Sequence, residues 1–172
     1  VFAGVIHRDL GHANEFDINA NGKTASVYAS KANSTHVFLT HHRRDLYSKL
    51  SGRVIAPLSE REHFEKTHEY WTGMATKRFH YYTQQSTKIL VEPVKVERWV
   101  KGGDEIVWEG LRFEVLDTPG FTRGSVSYLA TIDGKRVAFT GDLIYGDGKI
   151  FDLYSFQDAI PEARVGGYHG YA

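Results

Sequence analysis

The sequence predicts an α/β protein built in layers, and three observations carry that expectation. Residues 35–58 read as strand, loop, helix, strand. From residue 89 onward β character dominates, with Leu111, Phe113 and Val115 alternating and turn signals between successive apolar runs. Four short polar turns each follow a β-rich run: THHRRD at 40–45, DTPGFTRGS at 117–125, TGDLIYGDG at 140–148 and GGYHGYA at 166–172. In layered α/β proteins ligands bind where strand ends gather, so these turns are expected to converge on one site.

Val1 to Ile6 has the composition of a strand, and Asn21-Gly22 that of a tight turn. The small-residue stretch after it, KTASVYASKAN, is expected to form a short helix. Thr35 to Thr40 is β-rich and short, which suits a buried strand ending at His41. Asp45 to Leu50 places apolar residues at 46, 47 and 50, a helical spacing that Ser51-Gly52 can end before the apolar piece RVIAPL. Ser59 and Glu62 have the spacing of a capping box for a helix over 60–72. Residues 73–88 are aromatic and polar without a clear period and read as a loop or insertion. Beyond them ILVEPVKVERWV, EIVW, LRFEVLD and SVSYLATIDGKRVAFTGD read as strands, with Asp133-Gly134 a strong hairpin signal, and LYSFQDAI as a short helix. No repeat of solenoid length and no low-complexity linker interrupts residues 1–172, so one domain is expected.

Bulk composition excludes several function classes. A chain of 172 residues, 41% apolar and 13% aromatic, can bury one proper core as a soluble globular domain. Its 21 basic and 21 acidic side chains cancel, so no net field recruits nucleic acid or anionic membrane, and a small-molecule substrate is the partner expected. The absence of cysteine rules out disulfides and thiolate metal sites, leaving imidazole and carboxylate as metal donors. No apolar run is long enough for a signal peptide or a membrane span, and a cytoplasmic location is the corresponding expectation. The chain opens on Val1 and stops at GGYHGYA with no closing helix or polar tail, the pattern expected of part of a longer product.

Chemistry concentrates in THHRRD. His41 and Asp45 after a strand are what a hard or borderline cation needs, yet Arg43 and Arg44 are permanent cations that would repel one. Here the sequence resembles the metallo-β-lactamase fold hydrolases, a four-layered αββα superfamily that usually holds two metal ions. Thr40, His41 and Asp45 match the family's first motif, T-H-x-H-x-D-H, while Arg43 and Leu46 stand where two further histidines belong. Asp117, Thr118, Pro119, Gly120, Thr122, Gly124 and Ser125 match its second motif, in which Phe121 replaces the ligand histidine. FTGDLI places Asp142 at the carboxylate that bridges both metals. No strand-plus-histidine pattern follows residue 150, so the last ligand is expected beyond the chain's end and the sandwich to be incomplete there. The match covers roughly residues 35–148 well.

The resemblance implies His41, Asp45 and Asp142 as metal ligands, with Asp45 and Asp142 as the catalytic carboxylates that orient water. His42 and His169 are weaker ligand candidates, each with a local hydrogen-bonding role as its plain reading. A zinc site needs about three protein ligands, so one divalent ion (zinc, manganese or iron) is implied and the two-metal form is not. The implied reaction is hydrolysis of an ester, thioester, amide or phosphodiester by metal-activated water. The alternative is a non-catalytic or repurposed binding module in which the Arg43 guanidinium replaces metal charge between Asp45 and Asp142. Asp117 to Gly120 is first of all a tight turn. Trp71, Trp99, Trp108 and Tyr81-Tyr82 read as packing, and KRFHYY as a solvated loop. In this superfamily substrate choice lies in loops over the site, and fold analogy cannot name it.

Overall fold

The computed structural model describes residues 4–9, 14–28, 34–42, 50–69, 92–145, 148–152 and 169–171. Strand β1 (Val5–Asp9) pairs antiparallel with β2 (Asn14–Ala20), which turns back into β3 (Lys23–Val27). The turn is Asn21-Gly22, with φ of 48° and 73°, the mirror-image geometry whose twist suits a two-residue hairpin. That turn corrects the helix expected after it. Once the chain is folded back on β2, Ala25 and Val27 are buried and Ser26 bonds to Asp17 Oδ1 and Ser34 Oγ. Tertiary burial therefore overrides the weak helical preference of small residues.

Strand β4 (His36–Phe38) runs parallel to β3 and to β5 (Arg53–Pro57), and β5 runs parallel to β6 (Val96–Val100), completing a six-stranded sheet in sequence order. The central parallel strands β4 and β5 are largely buried, as their continuous apolar runs demand. The second sheet is the antiparallel meander β7 (Glu105–Trp108), β8 (Leu111–Asp117), β9 (Val126–Ile132) and β10 (Lys135–Phe139), with Asp133-Gly134 as its expected hairpin. A third, small sheet joins β11 (Ile144–Tyr145), β12 (Lys149–Asp152) and β13 (His169–Tyr171). His169 thus stands in a strand, opposite Asp152, where no strand-plus-histidine pattern was expected.

The core lies between the two large sheets. Phe38 sits 4.9 Å from Phe113 and 5.4 Å from Tyr128, ring centre to ring centre, and Ile55 and Val100 join it from the first sheet. On the outer face of the first sheet Val37, Leu39, Val54 and Ala56 pack against Phe64 of helix α1 (Arg61–Glu65). The order is helix, sheet, sheet; among the described residues no helix covers the second sheet's outer face. The expected capping box does not form. Ser59 lies inside a 3-10 turn, Leu58–Glu60, and its hydroxyl donates to Gly124 O at 3.0 Å, while Glu60 takes the N-cap position. The helix expected over 60–72 is described as α1 and a further helical turn at 67–69. The expected helix at 45–50, the loop at 73–88 and the helix LYSFQDAI lie outside or almost wholly outside the described residues. Among the described residues no helix is long and apolar enough to cross a membrane.

Candidate active site

Two inter-sheet hydrogen bonds pin the chain as it leaves β4. Tyr128 Oη donates to Leu39 O at 2.8 Å, and Val126 N–H donates to Thr40 O at 2.8 Å. The next residue, His41, is 1% exposed. On the other sheet, β10 ends at Phe139 and the chain bends through Gly141 into the 3-10 turn Gly141–Leu143. Gly141 has φ +58°, and a Cβ there would lie 2.2 Å from Thr40 Oγ1, so only glycine lets the two strand ends approach this closely. The result is the pairing the sequence implied: His41 Nε2 lies 3.4 Å from Asp142 Oδ2.

A third side chain, unforeseen in the sequence, joins them. Tyr28 follows β3 with φ +87°, a left-handed conformation that costs a bulky residue about 1–3 kcal/mol and is found where the surroundings impose it. Its backbone N–H donates to Phe38 O at 3.0 Å, and its ring is buried 5.2 Å from the His41 ring. Tyr28 Oη donates to Asp142 Oδ2 at 2.6 Å. A hydroxyl has one proton, so toward His41 Nε2, 2.9 Å away, the phenol oxygen accepts. Nδ1 of the same ring faces Thr40 Oγ1 at 3.0 Å. Phe121, where the resemblance implies a ligand histidine, lies with its ring centre 4.9 Å from that of His41 and forms an apolar wall beside the imidazole.

The remaining motif residues anchor the turn. Glu60, 1% exposed, accepts from His42 N–H on Oε2 and from Thr122 Oγ1–H on Oε1. Thr122 in turn meets Ser125 Oγ, at 2.6 Å from its hydroxyl and 3.1 Å from its amide. A Cβ on Gly124 would lie 2.4 Å from Glu60 Cγ. Thr122, Gly124 and Ser125 therefore fit around one buried carboxyl group. Asp117 accepts from Gly102 N–H at 2.7 Å, in keeping with its reading as a turn residue.

His42 points elsewhere: its ring stands edge-on to Phe64 at 4.9 Å, within the helix-side packing. Arg43, Arg44, Asp45 and Leu46 lie outside the described residues, and for His169 only the backbone strand is described. Among the described residues no group of three or more His, Cys, Asp or Glu could hold a metal ion. The converging donors are an imidazole, a carboxylate and a phenol.

The family model for the metallo-beta-lactamase superfamily matches residues 46–169, more than two thirds of the chain. Among solved structures, a metallo-beta-lactamase family protein from Thermus thermophilus is similar with TM-score 0.61 and 18% identity, covering 88% of this chain and 63% of that one. A Cronobacter sakazakii metallo-beta-lactamase described by its HARLDQ motif has TM-score 0.56 and 17% identity, covering 80% of this chain and 59% of that one. A subclass B3 enzyme of Bradyrhizobium japonicum has TM-score 0.58 and 14% identity over 78% of this chain and 57% of that one. Among curated relatives, hydroxyacylglutathione hydrolases from Brucella ovis and Brucella abortus are 39% identical over 59 residues, 33% of this chain. That match spans 22% of each relative's length.

Proposed function

The chain belongs to the metallo-beta-lactamase superfamily, and from that premise we propose that it is a hydrolase cleaving an ester or thioester with one divalent metal ion held by His41, Asp142 and Asp45. The observation that carries the reading is the approach of His41 Nε2 and Asp142 Oδ2, from the ends of two different sheets, to 3.4 Å. Donor atoms of one tetrahedral ion with bonds of about 2.0–2.1 Å stand about 3.3–3.4 Å apart, so this pair fits a shared ion. Zinc, manganese and iron all accept such donors. A second ion is not part of the proposal, because Phe121 offers no donor and Leu46 none either.

A bound ion of this kind supplies a Lewis acid and a water ionised near neutral pH. The chain's own residues supply the rest. Thr40 Oγ1 can accept a hydrogen bond from His41 Nδ1–H, the tautomer that leaves the Nε2 lone pair for ligation, and so fix the ring's orientation. Phe121 keeps one side of the imidazole dry. The Asp142 carboxylate, 26% exposed, is the member of the pair that substrate and water can reach.

Two comparisons support the reading. His41, Arg43 and Asp45 repeat the first, third and fifth letters of the HARLDQ motif, so an arginine at this place also occurs in a protein described as a metallo-beta-lactamase. The curated relatives are named for a substrate whose acyl group is carried on the glutathione sulfur, which favours thioesters. The test is metal content after purification without chelator, for the wild type and Asp142→Ala, beside thiol release from an S-acyl thioester. About one equivalent of metal and hydrolysis, both lost in Asp142→Ala, are expected; below about 0.1 equivalents in both proteins the proposal fails, leaving the repurposed module with Arg43.

A further inference from the structure

We propose that the outer face of the second sheet docks against the same face of a second copy of this chain, making the protein a weak symmetric dimer. This inference is independent of the reaction proposed above and starts from the register of the meander. Along β7 to β10 alternate side chains enter the core and the others point away from it. Glu105, Glu114, Leu129 and Ala138 stand opposite one another as one outward row, and the pairs Val107 with Arg112 and Thr131 with Arg136 form the row beside it. Apolar surface lies open among these charges: Val107 is 63% exposed, Ala138 is exposed, and Leu116 and Leu129 are half-buried.

The charges on this face do not close within one copy. Glu105 and Glu114 are direct cross-strand partners, an arrangement that repels. Arg112 Nη1 donates to both carboxylate oxygens of Glu105, at 2.5 and 2.6 Å, and so answers only one of the two. Among the described residues neither Glu114 nor Arg136 takes part in an ion pair. They stand two strands apart in neighbouring rows, about 12 Å from each other across the face. A two-fold axis passing midway between them lays Arg136 of each copy over Glu114 of the other, so one patch supplies both halves of two intermolecular pairs. The two sheets then cross at a steep angle, near the orthogonal class of sheet packing. Four strands give a face about 20 Å on a side, about 400 Å² in projection, which suits a dimer of micromolar affinity rather than a permanent one.

The experiment is sedimentation equilibrium of the full chain from about 1 to about 200 µM, for the wild type, Glu114→Arg, and Glu114→Arg combined with Arg136→Glu. The wild type is expected to dimerise with a micromolar dissociation constant. Glu114→Arg sets arginine against arginine twice by symmetry and is expected to weaken the dimer at least about tenfold, and the charge swap to restore it to within about threefold of the wild type. Both positions are exposed, so neither substitution removes buried packing. A wild type that stays monomeric throughout overturns the proposal, whether solvent, another part of the chain or a different protein occupies the face. A dimer indifferent to Glu114→Arg is joined elsewhere, and one lost in Glu114→Arg without recovery in the swap is not held in this register; each result overturns the proposal. Amide exchange of the wild type above and below its dissociation constant needs no variant. Protection that grows with concentration is expected within residues 105–116 and 127–138, and a change confined to β1 to β5 overturns the proposal.

Discussion

Glu60→Ala should cost the fold about 3–6 kcal/mol. The carboxyl group is buried and accepts two hydrogen bonds, from His42 N–H and Thr122 Oγ1–H, so three segments distant in sequence meet on it. A hydrogen bond to a carboxylate contributes about 1.5–3 kcal/mol, and alanine removes both while stranding a buried backbone N–H. Glu60→Gln should cost about 1.5–2 kcal/mol, less than alanine, because its oxygen can serve His42 while its amide donates to Thr122 Oγ1, which then turns its own proton to Ser125 Oγ. Against a total stability of about 5–15 kcal/mol, the alanine variant should be near the edge of folding. The assay is equilibrium urea denaturation, reading the midpoint at constant slope. The double variant Glu60→Ala with Thr122→Val should lose less than the sum of the singles, a coupling of about 1–3 kcal/mol. A Glu60→Ala protein within about 1 kcal/mol of the wild type, or glutamine as costly as alanine, refutes the reasoning.

Gly141→Ala combines a left-handed backbone with a methyl driven into Thr40 and should lose about 2–5 kcal/mol, whereas Gly134→Ala, at φ +73° with nothing within 4 Å of its Cβ, should lose about 1 kcal/mol by the same denaturation assay. Tyr128→Phe leaves Leu39 O buried without its donor and should cost about 1–3 kcal/mol; a neutral result would show that the carbonyl finds water. Burial, and then the Arg53 guanidinium, hold His36 below its ordinary pKa. A folded value below the unfolded one means the unfolded chain takes up more protons, so the stability involved is complete above pH of about 6.5 and drains away as pH falls through that value toward the folded one. Thermal midpoints between pH 8 and pH 5 should therefore fall less steeply in His36→Gln than in the wild type; parallel curves would contradict this.

What could be read in advance follows from what fixes each element. The antiparallel meander was legible because Leu111, Phe113 and Val115 alternate and Asp133-Gly134 demands a mirror-image turn, both local facts. His41 and Asp142 were legible through their motifs, and the structure does bring them together. KTASV misled because small residues carry little preference of their own, so its pairing with β2 decided the outcome. Tyr28 was invisible since its role depends on a backbone conformation set by tertiary contacts. Ser59 and Glu60 looked like the start of a helix, and only the approach of Gly124 turns them into an anchor for another loop.

The bonds from Tyr128 to Leu39 and from Val126 to Thr40 act as rivets between the two sheets, placed immediately beside His41. Since His41 hangs from one sheet and Asp142 from the other, any slip of sheet against sheet is read out directly as a change in their 3.4 Å separation. The site is thus a gauge of the sandwich's alignment. On the one-ion proposal, a cavity opened far inside, for instance by Phe113→Leu between the sheets, should register there as altered metal affinity before it registers as unfolding.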